Sequence, residues 1–227
     1  MLKIFFKALK DLIDKKIFFT ALIPLLVAAS IWGILFYLLS DSINSTMESF
    51  LSYVPFIGES HWFVSAVESI GGVLLYYELV IMTSVMIVGI IADKIVDIVN
   101  NKYYNNDKKG FGTTIGSVFI ALKQNLIFFI LFIITSPLLF VPALNIFIHI
   151  FLWFVLIKKP NFYDSVAMYA TKDEYKKLKT ADKLTTNGIA LISASLFLIP
   201  VVGIFIYIVQ LLMFTHFNLQ RLKELRN

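Results

Sequence analysis

Four stretches of this chain run for more than 20 residues with almost no charge, and that pattern leaves a bilayer as the only medium the chain can fold in. They are Ile17 to Ser40, Ile70 to Ala92 (interrupted only by Glu78), Leu126 to Ile157 and Leu184 to Gln220. A helix rises about 1.5 Å per residue and the hydrocarbon core is about 30 Å thick, so 20 residues suffice to cross it. Hydrophobic residues make up 59% of the 227 positions and charged residues 15%, where soluble domains carry about 25% charge. A soluble domain of this size could not hide so much apolar surface. There is no cysteine, which removes disulfides, thiolate metal sites and cysteine nucleophiles from consideration.

The third and fourth runs hold 32 and 37 residues. Each is too long for one upright helix and short of the roughly 45 residues that two full spans and a turn require. The basic residues choose between these. Of the 20 Lys and Arg, five precede the first run, none falls between Lys16 and Lys94, and the other 15 fill every later connection and the C-terminus. The loop after the first run carries Asp41, Glu48 and Glu59. The positive-inside rule therefore puts the N-terminus in the cytoplasm, that acidic loop outside, and all later connections inside. The third and fourth runs must leave and re-enter one face. Each reads as a helical hairpin, with Pro137 and Pro142, or Pro200 and Gly203, near its middle. Proline breaks a helix, and Gly or Asn tolerates the backbone that closes a turn. The tips also match each other, Pro142-Ala-Leu-Asn145-Ile-Phe-Ile-His149-Ile against Pro200-Val-Val-Gly203-Ile-Phe-Ile-Tyr207-Ile, as an internal repeat would. The competing reading makes each run one kinked, tilted span and places Lys158 to Lys183 outside.

These observations predict an all-α membrane protein forming one membrane domain over 1–227. An interfacial amphipathic helix occupies 1–16, the first transmembrane helix 17–40, and a second with a cytoplasmic extension 63–104. Two half-penetrating hairpins follow at 126–157 and 184–220. In the first segment, Leu2, Phe5, Phe6, Leu9, Leu12 and Ile13 share one face and Lys3, Lys7, Lys10 and Asp14 the other, the geometry of a helix lying on a membrane. A secretory signal cleaved near Val27-Ala28-Ala29 is the competing reading, but the apolar run continues to Leu39 and favours an anchor. Residues 105–112 read as a flexible link, Thr113 or Thr114 as a helix cap, and 158–183 as a polar connection, helical around Lys172 to Lys183.

Little in the chain looks catalytic. There is no HExxH, P-loop, GxSxG or paired metal-ligand spacing, so neither enzyme nor cofactor is expected. His61, His149 and His216 are scattered, and His149 reads more simply as packed than as lining a cavity. Glu78 is the best single candidate for a working residue, because an intramembrane carboxylate is costly and marks function by default. Its structural alternative is a protonated, hydrogen-bonded side chain. Glu68 and Trp62 suit the outer interface. Lys15 and Lys16 are candidates for an anion entrance, or ordinary anchors of a cytoplasmic helix end. The tips at Pro142, Asn145, Pro200 and Gly203 are candidates for a pathway lining, since irregular backbone at membrane depth survives only inside protein or against a cavity.

The pattern resembles the bacterial CysZ sulfate permeases and the related etoposide-induced-protein family. The likeness spans roughly residues 1 to 224. It is carried by the basic N-terminal helix leading into Phe18-Phe19-Thr-Ala-Leu-Ile-Pro24-Leu-Leu, by Ile90-Ile91-Ala92-Asp93-Lys94-Ile95-Val96, and by the two proline-tipped runs. The resemblance implies two long spanning helices, two half-penetrating hairpins, a homo-oligomer in the bacterial inner membrane, and sulfate uptake supplying cysteine synthesis. Lipid and a sulfate-like oxyanion are then the expected partners, with no nucleic acid. One departure stands out. The permeases carry Gly-Leu-Arg before the first spanning helix, associated with sulfate binding, and this chain has Asp14-Lys15-Lys16-Ile17. Lysine holds an oxyanion as a point charge and lacks the planar fork of arginine. A non-transporting membrane scaffold and a cation or proton pathway are the rival functions.

Overall fold

The computed structural model describes residues 2–52, 61–136, 138, 141–198 and 200–227; Pro137 and Glu59 lie outside them, as do the side chains of Glu48, Trp62, Glu68, Pro142, Pro200 and Gly203. Helix is the regular secondary structure found among the described residues, in the order α1 (Leu2–Leu12), α2 (Lys15–Leu38), α3 (Ser40–Ser52), α4 (His61–Tyr103), α5 (Thr114–Thr135), α6 (Pro142–Val166), α7 (Lys172–Ala181), α8 (Lys183–Leu196) and α9 (Pro200–Arg226). Four segments are long and apolar enough to cross a membrane: Lys15–Leu38, Gly71–Tyr103, Thr114–Thr135 and Leu144–Val166.

Two compact units divide the chain, residues 23–84 and the remainder. In the smaller one, the Trp32 indole donates to Thr83 Oγ1 at 2.8 Å and the Tyr76 hydroxyl to the Ala29 carbonyl at 3.0 Å. Phe36 and Tyr76 meet edge to face at 5.5 Å. These polar tips on α2 and α4 matter because neither lipid nor an apolar helix face would satisfy them.

The larger unit is built on α6 and α9. From Ile206 to Leu219 every residue of α9 is buried, as expected of a helix apolar on nearly all sides. Helix α5 folds back along α6. Ser117 meets Asp164 near one end and Phe128 meets Trp153 (5.5 Å) further along, so the two helices are antiparallel. Helices α8 and α9 also pack on each other. Both long runs thus double back rather than continue as one kinked helix. The arms are longer than the charge-free runs. Helix α5 begins 12 residues before Leu126, and α6 continues past Lys158 and Lys159, giving arms of about 33 and 38 Å.

The faces of α5 are inverted relative to a soluble helix. Ser117, Ala121, Gln124 and Asn125 are buried with Phe128, while Ile115, Phe119, Leu122, Leu126 and Ile133 are exposed, Ile115 by 83%. The interior face is small and polar and the outer one apolar, as in a helix packed for lipid.

Two expectations need correction. Residues 105–112 are not a flexible link. Gly110 N–H and Gly112 N–H donate to the carbonyls of Met168 (3.0 Å) and Ala167 (2.9 Å). A β-carbon on Gly110 would fall 2.1 Å from the Ala167 carbonyl oxygen. These glycines permit close approach of two backbones, not mobility. Residues 158–166, taken as a polar connection, are the end of α6, with Pro160, Asn161 and Asp164 buried. Helix α7 does form, started by a reciprocal cap between Thr171 and Glu174, and Thr113 caps α5 by accepting from Gly116 N–H at 3.0 Å.

Candidate functional site

The proline tips lie where the sequence puts the helix breaks. Helix α5 ends at Thr135 and α6 begins at Pro142, while α8 ends at Leu196 and α9 begins at Pro200. Asn145 and Gly203 are therefore helical, in the opening residues of α6 and α9, and do not close a turn. The reason is general: proline at the first helical position supplies a preset φ and lacks only an N–H that would be unpaired anyway. Val141, with φ −92° and ψ 108°, forms the cap of α6. Asn145 is half-buried, and its carbonyl meets His149 Nδ1 at 3.2 Å. His149 is thus packed against its own helix.

Lys15 and Lys16 are the first residues of α2, and both are exposed. Asp14 starts that helix, its carboxylate accepting from Lys16 N–H at 3.0 Å. Glu78 lies on α4 in the smaller unit, half-buried beside Tyr77, with its Oε2 closed off from solvent.

Sequence reasoning misses the densest polar site, which lies around Asp11. Helix α1 does not bury a purely apolar face. It packs on α9 through Ala8 and Asp11, both 0% exposed, while Leu2, Phe6 and Ile13 remain outside. Asp11 Oδ1 accepts from Lys102 Nζ (2.9 Å) and the Tyr103 hydroxyl (2.7 Å), and Oδ2 accepts from His216 Nε2 (2.8 Å). The Tyr104 hydroxyl lies 2.9 Å from His216 Nδ1 and accepts from Lys7 Nζ at 3.1 Å. One proton arrangement satisfies every bond. His216 is neutral, donates from Nε2 to Asp11 and accepts at Nδ1 from Tyr104. Electrostatics agree. Burial and the nearby Lys7 charge depress the imidazole below its ordinary range, against the pull of Asp11. Burial tends to raise Asp11, yet the Lys102 and Tyr103 bonds and the surrounding charges outweigh it and hold the carboxyl low. The one available signal was the Lys7–Asp11 spacing of four, which sets both on one helix face.

A second polar feature runs between α6 and α9. Asn161 Nδ2 lies 3.5 Å from Gln210 Oε1, and Asn218 donates to Ser165 Oγ at 2.6 Å. Both contacts advance in the same sense, so these second arms run parallel. Within this seam Asn161 Oδ1, Asp164 Oδ2, the Tyr207 hydroxyl and Gln210 Nε2 are enclosed without a hydrogen-bond partner from the protein. Buried groups of this kind are rare and mark strain or a binding role. The stretch around Asp93 serves the strap at 105–112. Asp93 accepts from Thr114 Oγ1 at 3.0 Å, and Asp97 takes Lys108 at 2.6 Å and also binds the Tyr169 hydroxyl.

No group of three or more His, Cys, Asp or Glu among the described residues is placed to hold a metal. Residues 4–207 match the family described as sulfate transporter CysZ/etoposide-induced protein 2.4. No curated protein and no solved structure matches the chain.

Proposed function

The chain belongs to the sulfate transporter CysZ/etoposide-induced protein 2.4 family, and from that premise we propose that it is a sulfate or related oxyanion permease of a bacterial inner membrane. The observation that carries this reading is the extent of the match, 4–207, on a membrane chain whose two long apolar runs double back at their prolines. In this reading 1–227 is one membrane domain with its N-terminus in the cytoplasm. Helices α2 and α4 span the bilayer, and the α5–α6 and α8–α9 pairs enter it partway as hairpins. Lys15 and Lys16 form the anion entrance. Pro142, Asn145, Pro200 and Gly203 line the path, Glu78 couples transport to protons, and copies of the chain assemble to enclose the tips. Exposure of both lysines supports the first assignment, since a point charge must meet its anion before it meets a carboxylate.

The test is sulfate entry into proteoliposomes holding the purified protein, against empty and chloride-loaded vesicles. Saturable entry that falls at least tenfold in Lys15→Gln/Lys16→Gln supports the permease and the entrance. No entry through folded protein rejects it. Glu78→Gln in the same vesicles should flatten the pH dependence of flux, and an unchanged profile removes the coupling role.

A cation or proton pathway is the second reading. It is favoured by the carboxyls enclosed at Glu78 and Asp164, groups that repel an anion unless protonated. Currents that follow the cation rather than sulfate on ion replacement would select it.

A further inference from the structure

Asn161 and Asp164 stand one turn apart on α6, and Tyr207 and Gln210 one turn apart on α9, so each pair shares a helix face. The two faces meet where Asn161 Nδ2 comes within 3.5 Å of Gln210 Oε1. A third helix reaches the same place, since Ser117 on α5 donates its hydroxyl to Asp164 Oδ1. Helix α4 closes in behind Ser117: a β-carbon on Gly89 would fall 2.8 Å from the Ser117 Oγ. Asn161, Asp164, Tyr207, Gln210 and Ser117 are each no more than 4% exposed.

Inside this enclosure Asn161 Oδ1, Asp164 Oδ2, the Tyr207 hydroxyl and Gln210 Nε2 have no hydrogen-bond partner from the protein. Asp164 is the decisive group. Ser117 holds one of its oxygens, and among the described residues it forms no ion pair with Lys, Arg or His. A carboxylate buried in this way needs an opposite charge or a proton. A proton on Oδ2 would answer Asp164 and at most one neighbour. A cation answers several groups at once, because Asp164 Oδ2, Asn161 Oδ1 and the Tyr207 oxygen all present lone pairs, and hard cations take oxygen ligands. Turning both amides over exchanges which of Asn161 and Gln210 offers its oxygen and still leaves one. The remaining amide NH2 suits a water carried in with the ion. Asp164 is the one carboxyl among these side chains, so a single positive charge neutralises it, and no group of three or more His, Cys, Asp or Glu among the described residues is placed to take a metal that needs more.

We propose that Asp164, Asn161 and Tyr207 hold a monovalent alkali cation between α6 and α9, with Ser117 orienting the carboxylate from behind. The seat is read by binding and not by flux, so it stands or falls apart from the permease reading. The detergent-solubilised full chain is melted in choline chloride, with sodium or potassium chloride substituted at constant ionic strength and fixed neutral pH. A ligand that binds the folded chain raises its melting temperature in a saturable way. The rise should vanish in Asp164→Asn, which still offers Ser117 an acceptor but carries no charge. Tyr207→Phe should need about tenfold more ion for the same rise. Glu78→Gln, which alters the other enclosed carboxyl, should respond as wild type does.

In choline alone neither Asp164→Asn nor Tyr207→Phe should melt below wild type, because each removes a group that the protein leaves unpaired. A lost ion response in a variant that melts normally in choline is therefore loss of the seat and not of the fold. Should Asp164→Asn fail to fold, Tyr207→Phe carries the test. Equal melting of wild type in all three salts overturns the proposal, as does an ion response that neither variant diminishes. Indifference to the salts, with a stability gap between wild type and Asp164→Asn that changes with pH, gives the carboxyl to a proton and overturns it too. A response lost in Glu78→Gln and kept in Asp164→Asn moves the ion to Glu78 and rejects the seat.

Discussion

Replacing Asp11 by alanine should be among the most damaging single changes outside the membrane spans. The carboxylate is 0% exposed and accepts three hydrogen bonds, from Lys102, Tyr103 and His216. The donors do not lose equally. Lys102 is 41% exposed at its side chain and can turn to water, so its share is small. His216 is 1% exposed and has nowhere to turn, and each buried donor left unpaired costs about 1–3 kcal/mol. With the cavity and the severed buried pair, the loss should come to about 3–5 kcal/mol. For a chain of this length that is a fall of roughly 10 °C in melting temperature. The assay is thermal unfolding in detergent followed by tryptophan fluorescence, with the exposed Lys3→Ala as control. Asp11→Asn should lie between the two. Its amide oxygen still accepts from Lys102 and Tyr103, while its NH2 faces His216 Nε2 and forces the other imidazole tautomer. A drop under about 3 °C for Asp11→Ala would refute the claim that this network locks α1 onto α9.

Gly110→Ala should lower stability by about 3 kcal/mol, the upper range for forcing an atom into packed backbone, because the new methyl meets the Ala167 carbonyl at 2.1 Å. Thermal unfolding checks it, and wild-type stability would return 105–112 to the status of a free link. Acid should loosen α1. His216 has its pKa depressed in the folded chain, so the unfolded chain binds the extra proton first, and stability present above the ordinary value of 6.5 is lost as pH falls below it. Protonation would add a cation to a site already holding Lys7 and Lys102 around Asp11, with Tyr103 and Tyr104. Hydrogen exchange across residues 2–12 should therefore quicken between pH 7 and 5 in wild type and much less in His216→Gln; equal acceleration in both would remove His216 as the cause.

The helices were legible because a bilayer imposes simple rules. Run length, charge placement and proline positions place α2, the long α4, and the breaks before Pro142 and Pro200. What escaped was set by tertiary contact. Pattern alone cannot tell glycines that loosen a chain from glycines that let two backbones touch, and the partner of Gly110 and Gly112 lies more than 50 residues away at Ala167 and Met168. Asp11 escaped because a helical wheel assigns charge to solvent, whereas its partners come from α4 and α9, some 90 and 205 positions on. The arms of the first hairpin were underestimated because charge was taken as the limit of the helix. Lys158 and Lys159 show that α6 carries lysines well before it ends.

One rule links the two ends of the larger unit. Near the N-terminus, Asp11 is taken by Lys102, Tyr103 and His216, and Asp14 caps α2 while lying 3.7 Å from Lys102. Between α6 and α8, Glu174 and Asp182 are taken by Arg226 and Arg221. In both places the acids nearest a lysine group bind cations delivered from another helix, and the lysines (Lys15 and Lys16, or Lys158, Lys159, Lys179 and Lys183) keep their charge unopposed. Had the acids paired with their sequence neighbours instead, each lysine group would carry less uncompensated charge. Long-range pairing separates the charges, and the result is two cationic surfaces on a chain whose net charge is only +5. That separation costs self-repulsion, which an anionic surface or a bound oxyanion would offset. The cationic character that composition gives these segments is therefore sharpened by the long-range pairing of the tertiary fold.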